Sequence, residues 1–272
     1  MAIITISRGT MSGGRKLAEM LTEKLGYKSV SREIVVKAAA DFGVEESKLF
    51  DAIRKSPTVL QKLTFERERY LAFIQASLCE FAKDDNLIYH GHAGHFLLKG
   101  ISHVLRIRIV ADMPYRIKAA MEEKELSPEE ARKYIEQVNK ERTKWTKFLY
   151  GKDWTSADLY DLVINLEHAD LPCVCDLVIH AIKHTCFETT PESTIAMKNL
   201  LIASRVKAAL AKIPKIRLGS LDIKSDNGKV IIIGRSRSQE ISDSILKVAA
   251  TVPGVIKVDA HVDIDYKSYP IE

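Results

Sequence analysis

No uninterrupted apolar run in the 272 residues approaches the roughly 18 that a membrane-spanning helix needs, which predicts a chain without one. Met1-Ala2 leads straight into a β-branched run, so no secretory leader is expected. Four cysteines in a chain of this length do not make a disulfide framework. No basic-aromatic platform or groove-reading motif stands out, so nucleic acid is not an expected partner. The expectation is a soluble, cytoplasmic protein. With 46% hydrophobic residues, it can bury one good core or two smaller ones.

Charge is spread unevenly. Residues 196–272 hold 13 of the 41 basic and 8 of the 36 acidic side chains, so the whole net charge of +5 lies there and the rest is neutral. That asymmetry predicts two domains, a larger one over 1–190 and a smaller one over 196–268, with residues 187–195 as linker. A mildly basic solvated surface is the ordinary account of the smaller domain's charge; an anionic partner is the sharper one.

The most informative stretch is the N-terminus. Ile3 to Ser7 reads as a buried parallel strand, Gly9, Gly13 and Gly14 as a tight loop, and Arg15 to Leu25 as a helix with Gly26 as its glycine cap. Free N–H groups at a helix N-terminus form a phosphate site by geometry and dipole. Against the pattern G-x-x-x-x-G-K-[ST], Gly9 and Gly14 fall in register, with Arg15 at the lysine position and Lys16 at the hydroxyl position. Arg15 keeps a permanent cation with a bidentate fork. Lys16 cannot hold a metal, because an ammonium only donates. The plainer reading is a strand–turn–helix whose glycines serve packing.

Along the rest of the first 190 residues, strands expected at 28–32, 86–91, 104–110 and 160–166 alternate with helices, which implies a parallel sheet flanked by helices on both faces. Ser127-Pro128-Glu129-Glu130 is a capping box that opens a helix turning basic toward Arg142, Lys144 and Lys147. Arg67 and Arg69, on a long helix expected from Leu60 to Phe81, read as a solvated face. Cys173, Cys175, His180, His184 and Cys186 invite a metal reading, but the paired Cys-x-x-Cys of a structural zinc site is missing and a packed helix fits equally well, so no metal site is expected there. Beyond the linker the pattern is a small α-β-β-α-β unit. Its hairpin turns at Asp226-Asn227-Gly228, and Ser236 and Gln239 suggest a capping box for its second helix.

Three places in the first segment resemble the cytidylate-kinase-like family of P-loop nucleoside monophosphate kinase relatives. They are Ile4-Thr5-Ile6-Ser7-Arg8 with Ser12-Gly13-Gly14-Arg15; Gly91-His92-Ala93 with the strand 104–110 and Ala111-Asp112-Met113-Pro114-Tyr115-Arg116; and Tyr150-Gly151-Lys152-Asp153-Trp154 leading into Tyr160 to Asn165. The resemblance implies an ATP site at Gly9, Ser12, Gly13, Gly14, Arg15 and Lys16, used with Mg²⁺. It also implies a monophosphate site formed partly by the helical excursion near 31–85, with Ser31, Arg32, His92 and Arg116. A basic lid around 140–152 would carry the transition-state cations Arg142 and Lys144 beside a catalytic Arg15. Ser31 and Gly91-His92-Ala93 depart from the aspartate and the Gly-Arg-Asp that the family's true cytidylate kinases carry.

The segment 197–265 resembles a BON domain through Gly228 to Gly234, the following helix, and Val252 to Val258. That resemblance implies binding of phospholipid or another small ligand, or a sensory or homo-oligomerising module. The leading expectation is an ATP-dependent phosphotransferase acting on a nucleoside monophosphate such as CMP. The alternative is a catalytically degenerate nucleotide-binding regulator with the BON domain as output.

Overall fold

The computed structural model describes residues 2–54, 66–91 and 93–265. Leu60, Leu63 and His92 therefore lie outside the described residues. Five strands make one parallel sheet: β1 (Ile3–Arg8), β2 (Lys28–Val30), β3 (Leu87–Tyr89), β4 (Val104–Val110) and β5 (Leu162–Asn165), in the order β2-β3-β1-β4-β5. β1 is central, and its β-branched residues Ile3, Ile4 and Ile6 are almost fully buried. Period-two alternation divides the sheet into unlike faces. Ile4 and Ile6 of β1 and Leu105, Ile107 and Ile109 of β4 form one core with α1 (Gly14–Leu25) and α8 (Leu171–Ile182). The other face carries Thr5, Ser7, Arg106 and Arg108, with Thr5 opposite Arg106 and Ser7 opposite Arg108 across the ladder.

The local signals for the helices are clear. Gly26 ends α1 in the left-handed region at φ 67°, its N–H donating to the Thr22 carbonyl. α6 (Met113–Lys124) is capped by Asp112, and α7 (Pro128–Tyr150) starts with the complete Ser127/Glu130 capping box. Two details go beyond the sequence reading. The boundary between the two compact units described below falls inside 187–195, and α9 (Pro191–Ala211) begins there. Thr190 and Ser193 exchange side-chain-to-backbone hydrogen bonds at that start (2.9 and 3.2 Å), and Pro191 sits in the first turn. Near the C-terminus, the cap of α10 (Gln239–Ala250) is Ser238, whose hydroxyl accepts from the Ile241 N–H; Ser236 is still in the preceding strand, its hydroxyl donating to the Ser238 carbonyl.

Contacts divide the chain into two compact units that do not follow its linear order. The first holds the parallel sheet, α1 and α5 (Gly94–Leu97) through α8. The second joins residues 34–52 and 57–83 to residues 194–272. It contains α2 (Glu33–Phe42) beyond its first residue, most of α3 (Glu46–Arg54) and α4 (Glu66–Ala82). It also contains most of α9, then β6 (Leu221–Asp226), β7 (Lys229–Ser236), α10 and β8 (Lys257–Ile264). β6 and β7 are an antiparallel hairpin, and β8 returns parallel to β7 after α10. Among the described residues no helix is long and apolar enough to cross a membrane.

Candidate functional site

The loop from Gly9 to Gly13 leaves the carboxyl end of β1, the position at which open parallel sheets place their ligands. It is braced from within. Ser12 is buried, its Oγ 2.9 Å from the Gly9 carbonyl oxygen and 3.2 Å from that of Ile109, so its single proton is committed inside the loop. Gly13 takes φ 80° as the residue before α1, and a Cβ there would fall 2.8 Å from Leu166 Cδ1. The first intrahelical bond runs from Leu17 N–H to the Gly13 carbonyl. The amides of Gly14, Arg15 and Lys16 thus have no partner within the helix and carry the positive end of its dipole.

Helices α6 and α7 close on this loop. The Arg116 Nε donates to the Thr10 carbonyl at 2.7 Å, the Thr10 hydroxyl meets Asn139 Oδ1 at 3.1 Å, and Arg142 donates to the Arg8 carbonyl. The elements enclose a cleft of about 810 Å³ lined by Arg8, Arg15, Lys16 and Arg142 among its cations and by Glu19, Glu123 and Glu141. A Cβ on Gly14 would lie 2.9 Å from Arg8 Cβ and Cδ, so the absent side chain at Gly14 is what lets the Arg8 stem cross the helix start.

The electrostatics are lopsided. Arg142 is half-buried and is pushed down to about 9 by burial and by the neighbouring Arg8, Arg116 and Arg108. Burial also lowers Arg108 and Arg116. A guanidinium stays protonated at neutral pH all the same, so burial leaves these three charges poorly solvated. No carboxylate stands within ion-pairing distance of these three among the described residues. Arg142 Nε, Arg108 Nε and one terminal nitrogen of Arg116 are buried without a hydrogen-bond partner. What the pair Arg108 and Arg142 does have is Trp154, with guanidinium carbons 5.1 and 4.7 Å from its ring. Tyr160 closes the floor, its hydroxyl donating to the Trp154 carbonyl at 2.8 Å and lying 3.2 Å from Ser7 Oγ.

The structure brings together Gly9, Gly13, Gly14, Arg116 and Arg142 around the loop. Arg15 lines the cleft, but its side chain is 61% exposed and pairs with Glu19 at 3.0 Å and Glu123 at 4.0 Å. Lys144 is exposed and pairs with Glu141 at 3.6 Å. Ser31 and Arg32 follow the end of β2, where the Ser31 N–H donates to Glu33 Oε2 at 2.6 Å and holds the Glu33 carboxyl below its usual range. Beside them His90 follows β3, its N–H bonded to the Val30 carbonyl; burial, then Arg8, push its imidazole down to about 4. Sequence reasoning missed Arg8, Arg108, Asn139, Trp154 and Tyr160 as parts of the site. In the cysteine–histidine stretch Cys175 packs in the core and Cys173 and Cys186 are exposed; among the described residues no three His, Cys, Asp or Glu side chains gather to hold an ion.

Residues 3–168 match the model of the cytidylate kinase-like family. The chain belongs to that family. Residues 199–266 match the BON domain, which makes the C-terminal part of the second unit a BON domain. Among similar proteins, a cytidylate kinase of Ignicoccus hospitalis is 27% identical over 168 residues, covering 61% of this chain and 90% of the relative. A cytidylate kinase of Thermococcus kodakarensis is 26% identical over 183 residues, covering 67% and 88%. An uncharacterized protein of Eubacterium ventriosum has a crystal structure similar in fold, with a TM-score of 0.50 and 20% identity, covering 67% of this chain and 98% of that one.

Proposed function

We propose that this member of the cytidylate kinase-like family transfers the terminal phosphoryl group of ATP to a nucleoside monophosphate, CMP before others. The observation that carries the reading is the set of half-buried guanidiniums, none ion-paired among the described residues, beside a helix N-terminus. Three arginines each carry a buried N–H without a hydrogen-bond partner, and Arg142 among them lines the cleft; a multiply charged anion supplies the acceptors they lack. A nucleoside triphosphate supplies such charge, and its leaving phosphates fit the free amides of Gly14, Arg15 and Lys16.

The roles follow from position. The amides and Arg8 receive the donor's phosphates. Arg142, fixed by the Arg8 carbonyl and Trp154, faces the charge that spreads over the transferred group, and Arg116 holds the loop's Thr10 carbonyl while offering its remaining N–H groups. Phosphoryl transfer of this kind needs in-line positioning and fixed positive charge more than covalent help from the protein. Mg²⁺ does not fit a cage of protein ligands here: Lys16 stands where a hydroxyl would be, and the described residues gather no ligand cluster. The ion belongs to the nucleotide's own phosphates, and the protein's residues are assigned no step through it. Ser31, Arg32 and His92 stay the acceptor-side residues of this reading.

Calorimetric titration with ATP, with and without Mg²⁺, followed by a transfer screen over the nucleoside monophosphates, tests it. ATP binding with turnover on CMP supports the proposal. Binding without turnover on any monophosphate would replace it by a nucleotide-binding regulator whose BON domain is the output.

A further inference from the structure

Helix α4 is the place where sequence expectation and structure differ most in the second unit. Its polar residues Glu68, Arg69 and Glu80 would suit a solvated helix face. Instead each meets the C-terminal segment. Glu68 Oε2 accepts the Gly219 N–H at 2.8 Å, Arg69 Nε donates to the Ala211 carbonyl at 2.5 Å, and Glu80 pairs with Arg205 of α9 at 2.5 Å. Arg205 reaches on to the Pro253 carbonyl at 3.3 Å, joining α4, α9 and the turn before β8. Cys79 is fully buried beside Ser204, and burial raises its thiol to about 12. Earlier in the excursion, Phe42 of α2 stacks on Phe73 of α4 with ring centroids 4.3 Å apart, and Lys212 Nζ lies 5.2 Å over the Phe42 ring.

These contacts have a mechanical meaning. α2 to α4 form the excursion between β2 and β3, and their polar and apolar contacts with residues 194–265 make them part of the BON-containing unit. Ser31 and Arg32 are the two residues joining β2 to that excursion, directly before Glu33, the first residue of α2. We propose that the BON domain anchors the α2–α4 excursion of the kinase-like segment, with Arg205 as the positioning residue for the acceptor side. This rests on the phosphotransferase reading for its catalytic consequence, but not for the anchoring itself. Glu80 and Arg205 are both more than two-thirds buried, with side-chain exposures of 23% and 29%; Glu80 keeps Lys83 at 3.6 Å, so removing Arg205 takes away its shorter, charge-assisted bond. Glu68 and Arg69 distribute the attachment along the helix.

The test uses the full-length protein carrying Arg205→Ala, with Arg205→Lys as the conservative variant, and labels thiols at equilibrium with peptide-resolved mass spectrometry. Cys79 reports on the anchored helix, and the buried Cys175 in the parallel-sheet core serves as internal control. Arg205→Ala should speed Cys79 labelling by about tenfold or more, because the local opening of α4 becomes easier, while Cys175 stays protected. The same variant should raise KM for the monophosphate by about tenfold and leave KM for ATP within about twofold, as loss of positioning on one side only requires. Arg205→Lys should recover most of both effects. Unchanged Cys79 labelling, Cys79 and Cys175 loosening together, or parallel shifts of both KM values would overturn the proposal. If the wild-type protein turns over no monophosphate, the kinase reading fails and the Cys79-to-Cys175 comparison alone decides whether the excursion is anchored.

Discussion

Replacing Arg142 by methionine separates a ligand-binding cation from a structural one. In the folded protein its guanidinium is driven down to about 9 by burial and by three neighbouring arginines. Taken at face value that displacement corresponds to roughly 4 to 5 kcal/mol against the charged form. Solvent screening of a half-buried group cuts this to about 1 to 3 kcal/mol. Against the relief stand the hydrogen bond to the Arg8 carbonyl, worth about 1 kcal/mol net, and the stacking on Trp154, about 0.5 to 1 kcal/mol. Methionine keeps an unbranched apolar stem against the indole. The unliganded Arg142→Met protein should therefore unfold within about 1 kcal/mol of wild type, a change of roughly 2 to 4 °C in Tm. Ligand dependence should differ sharply. Tripolyphosphate at about 100 times its Kd should stabilise the wild type by about 2.7 kcal/mol and the variant far less at the same concentration. Thermal melts with and without tripolyphosphate provide the assay, and transfer activity should fall by about 100-fold or more in the variant. A variant that loses more than about 3 kcal/mol without ligand, yet gains as much from tripolyphosphate as wild type, would show that Arg142 is a strut and that the argument from stranded charge is wrong.

Two further outcomes are expected. His95 of α5 is buried, with Nε2 unpartnered, and burial followed by the charge of Arg106 pushes its imidazole down to about 4. In the unfolded chain it titrates near 6.5, so between these values the unfolded state binds more protons and stability must fall as pH drops. The loss begins as pH falls below about 6.5, reaches at most about 3 kcal/mol near pH 4 and then levels off. His95→Gln should lack that component, and parallel acid losses in melts of the two proteins from pH 7.5 to 4 would refute it. Gly14→Ala meets no barrier of backbone conformation in a helix, where alanine is the better former by about 1 kcal/mol. Its Cβ would lie 2.9 Å from two carbons of Arg8, so the arginine must shift. ATP affinity should fall about tenfold with little change in Tm; unchanged ATP affinity would mean that Arg8 does not reach the phosphates.

Most of the fold was legible because its signals are local. The β-branched start predicted β1, Gly26 predicted the end of α1, and the Ser127 box predicted the first residue of α7. Strand 104–110 came out at the same limits, since its alternation is uninterrupted. What was missed was also local, but competed with a stronger cue. Thr190-Pro191 carries the same cap-then-proline signal as Ser127-Pro128, yet the composition of 187–195 suggested a linker. Arg67 and Arg69 could not be told from solvated charges, because their partners, the carbonyls of Ala52 and Ala211, are backbone groups with no sequence signature. No residue pattern announces that a carbonyl at a helix end needs a donor from a distant helix.

The candidate site was legible in part for a different reason. Template register found the loop, but Arg8, Arg108 and Arg142 are assembled by strand order and helix packing over more than a hundred residues of separation. One signal lay in the sequence all the same. Arg106 and Arg108 interrupt the apolar residues of β4, which pairs with a neighbour on each side and is covered on one face by the main core. A cation on such a strand is only partly reached by water, which favours a compensating group. For Arg106 that group is Asp161, which accepts from its side chain at 2.6 and 3.0 Å; this hydrogen-bonded pairing raises the arginine's pKa. Two residues along on the same face, Arg108 meets the Trp154 and Tyr160 rings and the Thr155 carbonyl; Asp153 attracts it from beyond ion-pairing distance, and burial lowers it. One strand thus holds a satisfied arginine and an unsatisfied one, so charge on β4 alone does not define a site. The missing carboxylate separates the two, and it turns Arg108 toward the same absent anion that Arg116 and Arg142 require.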